Sequence, residues 1–227
     1  MSVTGQDESF ISDANRYAPL TMGCLLAGGL SRRMGGADKS LMPLGGKTMI
    51  AHAAERLGPQ VGSLIINANG DAGRYADLGL PVIADRIEGF AGPLAGIHAA
   101  LLHARETAPK VRWVVTAACD TPFFPADLVA RFVGAAGHHE TMIALARSGS
   151  SLHPVFGLWP VALADDLEAW LTDGGSRKVL AWVDRHSMAE VNFRGPVVED
   201  IEIDPFFNVN TPEDLETAAA VFKELPA

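Results

Sequence analysis

Residues 23–40 read GCLLAGGLSRRMGGADKS, and the interpretation of the whole chain starts from them. They begin inside an apolar run over residues 22–27, which is typical of a buried strand. A glycine pair then opens a loop that holds two further glycines and the cations Arg32, Arg33 and Lys39. Glycine lets backbone N–H groups approach an anion closely and the cations offset its charge, so the pattern predicts a polyphosphate-binding loop. Glycine content alone fits a surface turn equally well.

Composition and charge narrow the classes of function. The chain has 227 residues, 48% of them hydrophobic and 20% charged, which is enough to bury a full core. Its formal net charge of −9 argues against a nucleic-acid binder, which usually carries a basic face. No apolar run approaches the roughly 18–20 residues that cross a bilayer, so we expect no membrane contact. Cys24 and Cys119 lie in apolar runs and are predicted to be reduced core thiols.

The chain is predicted to divide at residue 20. Residues 1–20 are polar and lack hydrophobic periodicity, which predicts a flexible N-terminal extension. They also lack the basic and apolar regions of a signal peptide, so we expect a cytoplasmic protein. Residues 21–227 contain no linker rich in proline, glycine or serine, and they are predicted to form one domain.

Apolar runs alternate with helical patterns along this domain. The runs are apolar on successive residues, as in strands covered on both faces, and they occupy residues 22–27, 63–68, 80–84, 111–119 and 142–146. Helical patterns occupy residues 48–57, 94–105, 126–133, 161–171 and 176–183, and a last helix opens at residues 211–214. The alternation predicts an α/β fold, a doubly wound and mostly parallel sheet with helices on both faces. Ligands of such sheets bind at the carboxyl ends of the strands.

Polar side chains follow three of the predicted strands. Asn67 and Asn69 end the second strand, Asp85 follows the third and Asp120 follows the fourth. The asparagines can hydrogen-bond a ligand, although such residues also suit a turn. A carboxylate beside a phosphate site is repelled unless a divalent cation lies between them, and Mg²⁺ is the usual ion. We therefore predict that Asp120 holds Mg²⁺; the alternative is a cap on the following helix.

Several short motifs occur in an order that resembles a known family. They are LAGG at 26–29, SRRMG at 31–35, DK at 38–39, NAN at 67–69, GPLAG at 92–96, CDTP at 119–122, HP at 153–154 and NVNTPE at 208–213. Together they resemble the molybdenum cofactor guanylyltransferases, over about residues 20–220. Each motif is shared with other nucleotidyltransferases, but the ordered set is specific to this family.

The resemblance implies a Rossmann-like nucleotidyltransferase domain over residues 21–227. It also implies transfer of GMP from GTP to molybdopterin, as the molybdenum cofactor, with release of pyrophosphate. The residues that it assigns to the nucleotide and the metal are the backbone of Leu26, Ala27 and Gly28, the side chains of Lys39, Asn67 and Asp85, and Asp120 with its Mg²⁺. Two anionic groups must meet in such a reaction, so Lys39, Arg33 and the ion at Asp120 are predicted to carry catalysis by neutralising charge.

The acceptor side of the predicted site is less sharply defined. His153, Arg177, Lys178, Asn208 and Asn210 lie in the other half of the chain, and we expect them to contact the phosphate and polar ring of the pterin. The two cations also suit a solvated helix start, and the two asparagines suit a turn before the last helix.

Three alternatives remain at this level. A relative that attaches CMP usually carries Leu-Ala-Ala-Gly, whereas residues 26–29 read Leu-Ala-Gly-Gly, which favours GTP. Transfer to a sugar phosphate would use the same loop. A carrier of the molybdenum cofactor without catalytic activity would need neither Lys39 nor Asp120. The resemblance also implies transient contacts with cofactor-insertion enzymes or molybdoenzyme chaperones.

Overall fold

The computed structural model of the protein describes residues 17–27, 38–87, 89, 92–136 and 139–224. The strands of this part of the chain are β1 (Thr21–Leu26), β2 (Pro43–Leu44), β3 (Lys47–Thr48), β4 (Ser63–Asn67), β5 (Val82–Ile83), β6 (Trp113–Ala118), β7 (Ile143–Ser148), β8 (Ser151–Pro160), β9 (Met188–Asn192), β10 (Val197–Val198) and β11 (Ile201–Glu202). The helices are α1 (Met49–Leu57), α2 (Pro93–Thr107), α3 (Leu128–Ala136), α4 (Ala164–Thr172), α5 (Val179–Val183) and α6 (Pro212–Glu224).

A seven-stranded sheet in the order β5-β4-β1-β6-β8-β7-β9 forms the centre of the molecule. Every pairing in it is parallel except those of β8 with β6 and β7. Strands β2 with β3 and β10 with β11 form two separate antiparallel pairs. The structure thus confirms the predicted α/β class and the mostly parallel sheet.

Helices cover both faces of the sheet. On one face α1 and α3 pack on the strands through buried residues such as Ile50, Leu57 and Phe132. On the other face α2, α4 and α5 pack through residues that include Ile97 and Trp182. This two-sided burial explains the successive apolar residues of the central strands, because both faces of each strand are removed from water.

Hydrogen-bonded caps begin the first and the last helix. The Thr48 hydroxyl accepts the N–H of Ala51 at 3.3 Å and starts α1. Thr211 accepts the N–H of Asp214 at 3.1 Å, and the Asp214 carboxylate accepts the N–H of Thr211 at 2.9 Å, which forms a reciprocal capping pair at α6. Helix α6 packs through Ala218 and neighbouring residues on β2, so it stands beside the main sheet.

Two strands of the main sheet, β8 and β9, are absent from the sequence-based prediction. Pro154 and Gly157 interrupt the apolar pattern of β8, and that strand shifts register against β7. Strand β9 is half-exposed at the edge of the sheet, and Val191 is its one buried residue. Neither strand therefore shows the continuous apolar run that marks β1, β4 and β6.

The remaining general predictions have mixed outcomes. Cys24 and Cys119 are free and buried, as predicted, and burial raises the pKa of Cys24 to about 12.

Of the segment 1–20, only residues 17–20 are described; Tyr17 packs edge-on against Trp113, with ring centroids 6.2 Å apart. The prediction for residues 1–16 lies outside the described residues. None of the helices in the described ranges combines the length and apolar character needed to cross a bilayer.

We expect opposite stability changes from alanine at two glycines. A Cβ on Gly157 would lie 2.6 Å from Cζ2 of Trp159 and 2.8 Å from Cδ2 of Leu145, so Gly157→Ala overpacks the core and lowers the free energy of unfolding by about 1–3 kcal/mol. Gly134 is exposed in α3, and a Cβ added to it would meet no atom within 4 Å. Gly134→Ala should therefore raise the free energy of unfolding by about 0.5–1 kcal/mol. Urea unfolding measures both, and equal changes would contradict the packing argument.

Candidate active site

The carboxyl edge of the sheet gathers the polar residues that follow its strands. Strands β1, β4, β5 and β6 all point the same way, so Ala27, Asn67, Asp85 and Asp120 come to one side of the sheet. The N–H of Ala27 donates to the carbonyl of Asn67 at 2.9 Å, which continues the β1–β4 ladder to this edge. Leu26 is the last residue of β1. Gly28 and Arg33, also predicted site residues, lie outside the described residues.

Asp85 is held by two asparagines. Asn67 donates to Oδ1 of Asp85 at 3.0 Å and Asn69 donates to Oδ2 at 2.8 Å, while the Asp85 N–H donates back to Oδ1 of Asn69 at 3.0 Å. Asn67 is buried, whereas Asn69 is exposed. The cluster is therefore a fixed set of amide and carboxylate groups at the ends of β4 and β5, with Asn69 open to solvent.

Helix α2 begins close against this cluster. A Cβ on Gly96 would overlap Oδ1 of Asn67 and lie 2.9 Å from Cδ2 of Leu26. Gly92, the N-cap, has φ +150°, a conformation that L side chains rarely adopt. Glycines at these positions let the N-terminal turn of α2 approach the ends of β1 and β4.

Lys39 meets a residue from the far end of the chain. Its Nζ atom donates to Oδ1 of Asn210 at 2.9 Å. The preceding residue, Asp38, is fixed by the buried Tyr75, whose hydroxyl donates to Oδ2 at 2.8 Å, and by Arg74 at 2.9 Å from the same oxygen. Asp38 also accepts the N–H of Ser40 at 3.1 Å. These contacts hold the backbone on which Lys39 is carried.

Asp120 lies just after β6 and is partly buried. Burial raises the pKa of its carboxyl, and the nearby charge of Lys39 opposes that rise. In the amide orientation that satisfies its neighbours, Asn208 donates to the two carboxylate oxygens of Asp120 at 2.6 and 3.1 Å. The N–H of Val209 donates to the Asp120 carbonyl at 2.8 Å. Asp120 is thus enclosed by the same segment that contacts Lys39.

One segment, residues 204–210, connects these groups. Asp204 bonds Ser148 at the end of β7, Asn208 faces Asp120, and Asn210 accepts from Lys39. The two asparagines predicted for the acceptor side therefore lie directly beside the predicted nucleotide-side residues.

The other residues predicted for the acceptor side occupy two places. His153 is near the start of β8; because β8 is antiparallel, that start reaches the same edge as Asp120. Arg177 and Lys178 lie in the loop before α5, where a Cβ on Gly92 would stand 3.9 Å from the Arg177 carbonyl oxygen. This loop therefore lies next to the start of α2 and away from His153.

Several residues that hold the site together have no role in the sequence-based prediction, although two of them, Asp38 and Thr121, lie in its motifs. They are Asp38, Arg74, Tyr75, Thr121, Ser148 and Asp204. Asp38 adjoins Lys39 and Asp204 precedes the NVN motif, so proximity in sequence was a usable signal for those two. Arg74 and Tyr75 lie in a short 3-10 helix, Ala72–Leu78, and nothing in their local sequence indicates a contact with Asp38.

An α/β protein with charged and amide groups at the carboxyl edge of its sheet is a common design for nucleotide-handling enzymes. A family model described as the MobA-like NTP transferase domain matches residues 23–189. The chain belongs to this family.

Relatives cover nearly the whole chain. A protein of Mesorhizobium japonicum named molybdenum cofactor guanylyltransferase is 48% identical over 89% of this chain and 96% of its own length. A protein of the same name from Bradyrhizobium sp. is 48% identical over 86% of this chain and 90% of its own length. The crystal structure of molybdopterin-guanine dinucleotide biosynthesis protein A from Archaeoglobus fulgidus is 26% identical, with a TM-score of 0.69 over 90% of this chain and 100% of that one. A Mycobacterium tuberculosis protein solved with manganese shares the fold, with a TM-score of 0.61 at 20% identity over 88% and 98% of the two chains.

We expect Asp120→Asn to stabilise the folded protein at neutral pH. The raised pKa means that the folded state binds the Asp120 proton more tightly than the unfolded chain does. The contribution of this proton to stability is therefore complete below the ordinary value of 3.8 and is lost as the pH rises through the folded-state pKa. Urea unfolding at pH 7 and pH 4 should show a stability gain for Asp120→Asn that shrinks at the lower pH. A pH-independent loss would show that contacts to Lys39 and Asn208 outweigh the burial of charge.

Proposed function

We propose that the protein transfers GMP from GTP to molybdopterin, as the molybdenum cofactor, and releases pyrophosphate. The observation that carries the proposal is the meeting of Lys39 and Asp120 at segment 204–210, in a chain whose relatives of nearly equal length are named guanylyltransferases. In this reaction a phosphate oxygen of the pterin attacks the α-phosphorus of GTP, and the bond to the pyrophosphate oxygen breaks.

The nucleotide occupies the side of the edge formed by β1, β4 and β5. The backbone of Leu26, Ala27 and Gly28 and the side chain of Lys39 bind the phosphates, and Asn67 and Asp85 contact the nucleoside. The hydrogen bonds among Asn67, Asn69 and Asp85 support this assignment, because they present fixed acceptors beside the start of α2. Lys39 is the described cation that would offset the charge developing on the leaving pyrophosphate, and we propose that Arg33 acts with it.

The pterin occupies the side formed by β6, β8 and β7. His153, Asn208 and Asn210 line that side. Arg177 and Lys178, also proposed to contact the pterin, lie beside the start of α2, next to the nucleotide side of the edge. The position of Asn208 and Asn210 between Asp120 and Lys39 supports a role at the junction of the two substrates. These two residues are placed to hold the attacking phosphate near the GTP.

Asp120 is the proposed ligand of a divalent cation, Mg²⁺ in the first instance. Among the described residues, no three His, Cys, Asp or Glu side chains cluster tightly enough to hold a metal on their own. Mg²⁺ usually binds through one or two carboxylates, substrate phosphates and water, so a single partly buried Asp120 fits it. Turning the Asn208 amide would add its oxygen to the carboxylate oxygens of Asp120, a donor set suited to a hard cation. When bound, the ion neutralises charge on the phosphates.

Other aspects of the proposal rest on the family. We infer a cytoplasmic enzyme that passes its product to cofactor-insertion enzymes or molybdoenzyme chaperones through transient contacts. Residues 1–20 form an extension outside the nucleotidyltransferase domain, 21–227. CMP transfer to the same cofactor, nucleotidyl transfer to a sugar phosphate and a carrier without catalytic activity are the alternatives.

The choice among these functions is tested by pyrophosphate release. The protein is incubated with GTP or CTP and Mg²⁺ or Mn²⁺, either alone, with molybdopterin carrying bound molybdate, or with a sugar phosphate. We expect release with GTP only when the acceptor is present, and loss of release with EDTA. Release with CTP, or release driven by a sugar phosphate, would support an alternative; binding of the cofactor without release would indicate a carrier.

Lys39→Ala and Asp120→Ala should each lower the rate of GMP transfer by about 10²–10³-fold, because each removes a group that acts on charge in the transition state. Lys47→Ala and Asp127→Ala are matched controls, since both side chains are exposed and lie in surface ion pairs. The controls should keep the wild-type rate, and circular dichroism should show all four variants folded. Wild-type transfer by either site variant would contradict the proposed mechanism.

A further inference from the structure

A chain of three polar side chains lies at the acceptor end of the site. The Ser148 hydroxyl is 2.7 Å from Nε2 of His153 and 2.8 Å from Oδ1 of Asp204. Asp204 also accepts the N–H of Phe206 at 2.9 Å, and the imidazole of His153 packs on the Phe206 ring with centroids 4.5 Å apart. The imidazole is thus held through both its face and one of its nitrogens.

The hydrogen bonds fix the tautomer of His153. An ionised carboxylate only accepts hydrogen bonds, so the single hydroxyl hydrogen of Ser148 is directed to Asp204. The Ser148 oxygen can then only accept from His153, which requires a hydrogen on Nε2. Burial lowers the pKa of His153, which favours the neutral ring at neutral pH. The Nδ1 atom is therefore left with a lone pair.

That lone pair is available to a ligand. No described residue forms a hydrogen bond with Nδ1 of His153. His153 is only partly buried. The fully buried side-chain polar atoms without a partner in the described ranges belong to His98 and Trp113, so Nδ1 of His153 is not among them. The residue lies at the carboxyl edge, beside the start of segment 204–210. A neutral nitrogen with a lone pair repels a phosphate oxygen and attracts an N–H group.

We propose that Ser148 and Asp204 are positioning residues that fix His153 as a hydrogen-bond acceptor for a ring N–H group of the acceptor substrate. This inference rests on the proposed function, in which the acceptor is a pterin, a heterocycle with amide and amine N–H groups. His153 then recognises the ring, and the phosphate of the acceptor is left to Asn208 and Asn210. The substrate is held at its two ends by separate groups.

The tautomer is tested directly by NMR of the full-length protein with ¹⁵N-labelled histidine. Two-bond ¹H–¹⁵N spectra distinguish a hydrogen on Nε2 from one on Nδ1, and His153→Gln identifies the signal. We expect the Nε2–H form in the wild type and in Asp204→Asn, because asparagine retains an acceptor oxygen. Ser148→Ala should give a mixture of both forms. An Nδ1–H form in the wild type would overturn the inference, whatever reaction the protein catalyses.

Kinetics test the consequence for the substrate. Ser148→Ala should raise KM for molybdopterin about 3- to 10-fold, the effect of one weakened neutral hydrogen bond, and leave KM for GTP unchanged. Ser148→Thr, which keeps the hydroxyl, should restore the wild-type value, and Ser151→Ala on the facing strand is the matched control. Equal increases in both KM values, or none, would overturn the inference. Absence of GMP transfer by the wild type would instead refute the proposed function and leave the NMR result standing.

Discussion

The carboxylate of Asp120 is the constraint around which the site is assembled. At the end of β6 its charge is partly removed from water, and the resulting cost must be offset by groups from elsewhere in the chain. Lys39 offsets it by attraction and Asn208 by hydrogen bonds, while Asn210 holds Lys39 itself. The end of the glycine loop, the central sheet and segment 204–210 are therefore energetically dependent on one another. Loss of Lys39 or of segment 204–210 leaves the Asp120 charge less well compensated.

The reversed strand β8 explains how one sheet offers two halves of a site. In a wholly parallel sheet only strand ends would reach the carboxyl edge. Because β8 is antiparallel, its start reaches that edge, and it carries His153 beside Ser148 at the end of β7. The proposed nucleotide half is built from regular strand ends and a helix start, whereas the proposed acceptor half is built from a hairpin and a crossing segment. Loops tolerate changes in length better than the strands and helices they connect, so the hairpin is the less constrained of the two parts.

The sequence predicts the parts of the molecule that follow from local pattern. The apolar runs of β1, β4 and β6 identify buried strands, and parallel topology then brings Asn67, Asp85 and Asp120 to one edge. The sequence does not predict strand β8, because its proline and glycine interrupt the apolar run that marks a buried strand. The contact of Lys39 with Asn210 joins residues 171 positions apart, and no local rule encodes it. The hydrogen bond from the Tyr75 hydroxyl to Asp38 likewise depends on tertiary packing, so it is seen only in the folded chain.

The long separation between Lys39 and Asn210 has a consequence during protein synthesis. The glycine loop leaves the ribosome well before residues 204–210, because 171 positions separate Lys39 from Asn210. A nascent chain that ends before residue 204 carries Lys39 and Asp120 without the two asparagines that contact them. In such a chain the Asp120 carboxylate lacks the hydrogen bonds of Asn208, so the site is complete only after residues 204–210 have been synthesised.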